Sequence, residues 1–129
     1  MSKKCLFPLL FSLLLLPSCL NYESRYDGQW QLRTVESEGH VSEVDTVWYG
    51  FQTILFNYKI YDSRSGTYRS TTGYIDDYEK TKITLQMPDS DFIRFTDWKS
   101  SPRTFVVEHL SGSKLILSSD GKRYTFRKF

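Results

Sequence analysis

Along most of the chain, apolar and polar side chains alternate one by one, and short clusters of Gly, Asp and Ser interrupt the alternation. Residues 29–37 place Trp30 and Leu32 on one side and Gln29, Gln31 and Arg33 on the other, the period-2 pattern of a half-buried strand. Residues 48–61 are rich in β-branched and aromatic side chains, with Trp48, Ile54, Phe56, Tyr58 and Ile60 in one phase. They predict one long strand bent near Gly50. A turn over 62–66 leads to a strand over 67–75 that carries Tyr68 and Tyr74, and Asp76-Asp77 marks the next turn. Thr81, Ile83, Leu85 and Met87 then alternate with Lys80, Lys82, Thr84 and Gln86. Residues 88–102 hold Phe92, Ile93, Phe95 and Trp98 between acidic, Ser and Pro positions, and read either as a loop covering one end of a barrel or as a short irregular strand.

Three short strands close the chain, at 105–110, 114–118 and 123–129. Ser111-Gly112-Ser113 separates the first two, and Asp120-Gly121 separates the last two as a type I′ hairpin turn. Consecutive hairpins make an antiparallel meander. Seven or eight such strands in one domain predict an all-β, up-and-down meander closing into a small barrel, with a sandwich as the other solution, because closure removes exposed edges.

The first residues break this pattern. Lys3 and Lys4 precede an apolar run from Cys5 to Leu16 that Pro8 and Ser12 interrupt, which is the layout of a secretory leader. A permanent span needs about 20 apolar residues, so this run is too short to cross a bilayer. Leu16-Pro17-Ser18-Cys19 resembles the bacterial lipobox, which implies cleavage before Cys19 and acylation of its sulfur. The expected organisation is a leader over 1–18, a tether over 19–26 and one domain over 27–129. Cys5 leaves with the leader, so Cys19 has no intramolecular partner and an exported chain would carry a lone thiol unless Cys19 is acylated.

Composition changes meaning once the leader is set aside. The 129-residue chain carries 17 Lys plus Arg against 15 Asp plus Glu. Without Lys3 and Lys4 the remaining 111 residues are formally neutral, and a polyanion partner such as nucleic acid loses its support. The aromatic content stays high, with 19 rings outside the leader.

Asp27-Gly28-Gln29-Trp30 at the first strand resembles the G-x-W opening of lipocalins, and the chain as a whole resembles the small lipocalin-like lipoproteins of bacteria. The resemblance implies a barrel whose closed end is built by Gly28 and Trp30, with Trp30 packed against a basic side chain near the chain's end. Arg127, or Arg123, is the implied partner through a cation–π contact. It also implies an open end able to hold a small apolar ligand, for which Trp48, Tyr49, Phe51, Tyr58, Tyr74, Phe92, Phe95 and Trp98 are the candidate lining.

Little else carries chemistry. His40 and His109 lack a chelating spacing, and His109 reads as a wall or rim residue in the phase of Phe105 and Val107. Asp76 and Asp77 are adjacent and read as a turn, while Asp89-Ser90-Asp91 lacks the Gly and closing Glu of a calcium loop. The expectations are therefore no enzyme, no cofactor and no metal. Two functions remain. One is a lipid-anchored envelope protein, at the outer membrane, whose barrel binds a small apolar ligand or envelope component. The other is a filled barrel that docks another envelope protein or a glycan.

Overall fold

A computed structural model describes residues 24–129. The expected leader over 1–18 and the lipobox-like residues ending at Cys19 lie outside the described residues. Nine antiparallel strands run in chain order: β1 (Gly28–Ser37), β2 (His40–Glu43), β3 (Val47–Gln52), β4 (Leu55–Asp62), β5 (Thr67–Glu79), β6 (Lys82–Gln86), β7 (Arg103–Leu110), β8 (Lys114–Ser119) and β9 (Lys122–Lys128). Strands β3 to β9 pair with their sequence neighbours, β3 pairs with β1, and β9 returns to β1, closing an eight-stranded barrel. The ninth strand, β2, folds back on the second half of β1, where Thr34 faces Glu43 and Ser37 faces His40. The all-β up-and-down barrel is thus the fold, and β2 is a further strand that the alternation does not predict.

The barrel has two unlike ends. One, the floor, gathers Gly28, the β3–β4 turn, the β5–β6 and β7–β8 turns and Lys128. The other, the mouth, gathers the β1–β2, β4–β5 and β8–β9 turns and the long connection 87–102. Asp120 (φ 55°) and Gly121 (φ 78°) both take positive φ, the type I′ geometry that the Asp-Gly pair predicts.

Residues 48–61 differ from expectation. They form a hairpin, β3–β4, that turns at Thr53-Ile54 with Thr53 at φ 52° and no Gly, Pro or Asn to announce it. The turn also splits the phase: Tyr49 and Phe51 of β3 share the interior with Phe56 and Tyr58 of β4, whereas Trp48 faces outward opposite Lys59. Likewise Asp76-Asp77 is no turn. β5 runs through it to Glu79 and absorbs the irregularity as a bulge between Ile75 and Asp77.

The interior is a continuous core of large side chains. Trp30, Phe56, Ile83, Leu85, Phe105, Leu115, Leu117 and Phe126 have essentially no exposed surface, and Tyr49 and Tyr124 almost none. Tyr26 also belongs to this core: it is fully buried, its ring meets Phe51 and Tyr78, and its carbonyl accepts the Trp30 indole N–H at 2.8 Å. The packed domain therefore starts before Asp27. At Gly73 the strands β5 and β6 cross so closely that a Cβ would lie 1.8 Å from the Gln86 carbonyl oxygen. Only glycine fits there.

Candidate functional site

The mouth is where a barrel of this type can hold a ligand, and here the connection 87–102 folds into it. Asp89 starts the inward path: its side chain accepts the backbone N–H of Asp91 and of Phe92, ordering a 3-10 helix over Phe92–Phe95. Phe92 enters the interior and meets Tyr58 at a ring separation of 5.9 Å. Trp98 goes deeper. It stacks on Phe56, meets Tyr58 and Phe105 edge-on, and donates its indole N–H to the Tyr49 hydroxyl at 3.2 Å. The space of a ligand is filled by the protein's own aromatic rings.

A polar clasp holds this plug. Arg103, at the start of β7, is only 6% exposed and points inward. Its guanidinium donates to Tyr124 Oη at 2.8 Å, Ser119 Oγ at 3.1 Å and Asp97 Oδ1 at 3.4 Å, with Asp120 also within ion-pair range. Tyr124 donates its own hydroxyl to the other Asp97 oxygen, which Lys122 also approaches at 3.5 Å. The guanidinium further lies 4.7 Å from the Phe105 ring and 5.7 Å from that of Trp98. A buried cation is tolerated because its N–H groups find acceptors.

The protonation states follow from this environment. Burial pushes the Tyr49 phenol far above its ordinary value, against the pull of the Trp98 hydrogen bond. Burial raises Tyr58 as well, aided by neighbouring Tyr49. Tyr124 is raised by burial and by its bond to Asp97. For Arg103, burial favours loss of the proton, but the bond to Tyr124 and the nearby Asp97 outweigh it and the value rises. The cluster is thus a fixed cation among neutral phenols and the side chains of Asp97 and Asp120, arranged to hold the loop; each group is occupied by another.

The candidate lining divides accordingly. Tyr49, Phe51, Tyr58, Phe92 and Trp98 lie inside the barrel, but as packing. Trp48, Tyr74 and Phe95 do not line it. Trp48 lies on the outer face beneath Tyr68, Phe129 and Lys59, Tyr74 points outward opposite Leu55, and Phe95 sits at the rim between Arg69 and Arg94. In each case the side chain falls in the outward phase of its strand or past the end of the plug. Two open depressions lie outside the plug: a polar one of about 340 Å³ bordered by Lys99, Pro102, Arg103 and Asp120, and one of about 490 Å³ bordered by Met87, Pro88, Ile93 and Lys99.

The floor corrects the implied partner of Trp30. Arg127 and Arg123 are in the outward phase of β9, and Arg123 pairs with Glu36 and Glu108 on the outside. Lys128, in phase with Tyr124 and Phe126, places its ammonium 4.5 Å from the Trp30 ring and donates to the Asp27 carbonyl. Gly28 is at φ 122°, and a Cβ there would strike the Lys128 side chain at 2.6 Å. Gly28 and Trp30 close the barrel with Lys128, which the strict alternation of β9 could have singled out.

The remaining candidates lie apart. His40 is exposed on β2, and His109 is exposed because a bulge between Val107 and His109 turns it out of the phase of Phe105. Among the described residues no group of three or more His, Cys, Asp or Glu is placed to hold a metal ion.

A closed up-and-down barrel with a Gly-x-Trp floor and a basic residue beneath the Trp is the architecture of the lipocalin class. The model of a lipocalin-like domain family matches residues 13–129, and the chain belongs to that family. Two solved structures are similar to it. A lipocalin-like protein from Bacteroides uniformis shares 29% identity over 81% of this chain and 99% of its own, with a TM-score of 0.73. An uncharacterized protein from Bacteroides eggerthii shares 29% identity over the same fractions, with a TM-score of 0.70. No curated protein matches the chain.

Proposed function

We propose that this chain is a lipid-anchored envelope protein, held at the outer membrane through Cys19, whose filled barrel is a non-catalytic interaction module for another envelope component. The single observation that carries the choice is Trp98, which occupies the interior of the mouth against Phe56, Tyr58, Phe105 and the Tyr49 hydroxyl. A carrier of small apolar ligands keeps an apolar cavity of roughly 300 Å³ or more for them. Here that volume is taken by side chains that also satisfy each other's hydrogen bonds.

The anchor rests on the lipobox-like Leu16-Pro17-Ser18-Cys19 and on the lone thiol it would otherwise leave. Recognition then falls to the outer surface and the mouth loop, where Phe95 is exposed between two arginines.

Native mass spectrometry of the full chain, purified from membranes in detergent, tests both parts. The expected mass is that of residues 19–129 plus acyl chains on Cys19, with no further molecule, and Cys19→Ala abolishes acyl incorporation. A stoichiometric apolar molecule released from the barrel on extraction would overturn the filled-barrel reading in favour of a ligand carrier.

A further inference from the structure

The floor end carries apolar surface that neither barrel closure nor the plug explains. Leu55 lies opposite Tyr74 across β4 and β5, and Ile54 precedes Leu55 at the tip of the β3–β4 turn. These three are 55% (Ile54), 48% (Leu55) and 40% (Tyr74) exposed. Leu55 also borders an open depression of about 540 Å³ over Gly50. Large apolar side chains that share one side of a small domain mark an interaction surface.

The chain enters the barrel at this same end. Tyr26 is wedged against Phe51 and Tyr78, the Trp30 indole binds its carbonyl, and Lys128 binds the carbonyl of Asp27. Only residues 20–23 separate Cys19 from Ser24, the first described residue. The five Cα–Cα steps from Cys19 to Ser24 reach at most about 18 Å even when fully extended. We propose that the surface formed by Ile54, Leu55 and Tyr74 rests in the interfacial layer of the bilayer that holds the acyl anchor. This rests on the acylation of Cys19 in the reading above. Aromatic and aliphatic side chains are favoured at that depth, where Tyr keeps its hydroxyl among the headgroups. The acyl chains supply the affinity. The floor surface sets the orientation, holding the plugged mouth and Phe95 away from the membrane.

The full chain, produced with its own leader and reconstituted into phosphatidylethanolamine/phosphatidylglycerol vesicles with brominated acyl chains, tests this. Acylated Cys19 leaves no other thiol beyond the leader, so a fluorophore can be placed through Gln52→Cys beside the floor surface or Ser65→Cys at the mouth. The label at 52 is expected to be quenched about twofold or more by the brominated lipid and the label at 65 to be unaffected. Adding Ile54→Glu and Leu55→Glu, both on exposed positions, abolishes the quenching at 52 without changing the melting temperature. Equal quenching at the two positions, or none at 52 in protein whose mass shows acylated Cys19, overturns the membrane-facing floor alone. A mass showing unmodified Cys19 overturns the anchor and this orientation with it.

Discussion

Trp98 lies almost parallel to Phe56, ring centroids 6.0 Å apart and planes 12° apart, inside a barrel mouth that its own loop has closed. Its indole N–H reaches the Tyr49 hydroxyl, so both the apolar and the polar edges of the ring are satisfied. The loop is part of the core.

Trp98→Ala leaves a void among Phe56, Tyr58 and Phe105, and truncations of this kind cost about 3 to 5 kcal/mol. The void is apolar on most sides and would accept a flat apolar molecule. Thermal unfolding is expected to show a lowered midpoint that added indole partly restores in the variant and leaves unchanged in the natural chain.

Lys128 and Arg127 separate cleanly. Lys128→Ala removes the cation over Trp30 and the bond to the Asp27 carbonyl, an expected loss of about 1 to 2 kcal/mol in urea unfolding. Arg127→Ala alters an outward side chain and is expected to stay within about 0.5 kcal/mol of the natural chain. The reverse order would contradict the assignment of the floor.

Arg103→Met deletes the cation that Asp97, Ser119 and Tyr124 surround. Removing one partner of a buried ion pair costs about 3 to 5 kcal/mol, and since Asp97 keeps a third of its side chain in water, about 2 to 3 kcal/mol is expected. The loop is released first. Amide hydrogen exchange is expected to rise over 88–102 more than in β8 and β9.

Alkaline pH acts through Tyr49, Tyr58 and Tyr124, all raised above the ordinary phenol value mainly by burial. A group whose folded value is raised contributes stability that is complete below its unfolded value and lost as pH climbs beyond it. Stability is therefore expected to fall above about pH 10. The phenolate absorbance of these three residues is expected to appear together with the loss of circular dichroism in a pH titration. Phenolate signal preceding unfolding, in a chain with the other tyrosines replaced by Phe, would show that they are accessible.

Much of the architecture is legible in the chain. The alternation over 80–87, the Asp120-Gly121 turn and the Gly28-x-Trp30 opening each mean the same thing locally and globally, because a strand buried on one face forces period 2 and a type I′ turn needs two positive φ values. The candidate site was legible in part. That 88–102 covers one end was one of two readings of Phe92 and Trp98 between Pro88 and Pro102, the other being a short irregular strand. How deeply they enter was not legible, since a loop has no period that assigns its side chains to a face.

What the sequence determined by itself was most of the strands, the meander, the floor motif and the abundance of rings to be buried. What only the tertiary structure decided was the side each ring takes and whether a cavity survives. A side chain's face in a strand flips with every one-residue slip, so the unannounced turn at Thr53-Ile54 and the bulge at Val107–His109 reassigned Tyr49 inward and Trp48 and His109 outward. Packing then did the rest: a barrel of eight strands is just wide enough for its own side chains, and once Trp98 and Phe92 were drawn in, the aromatic surplus became core.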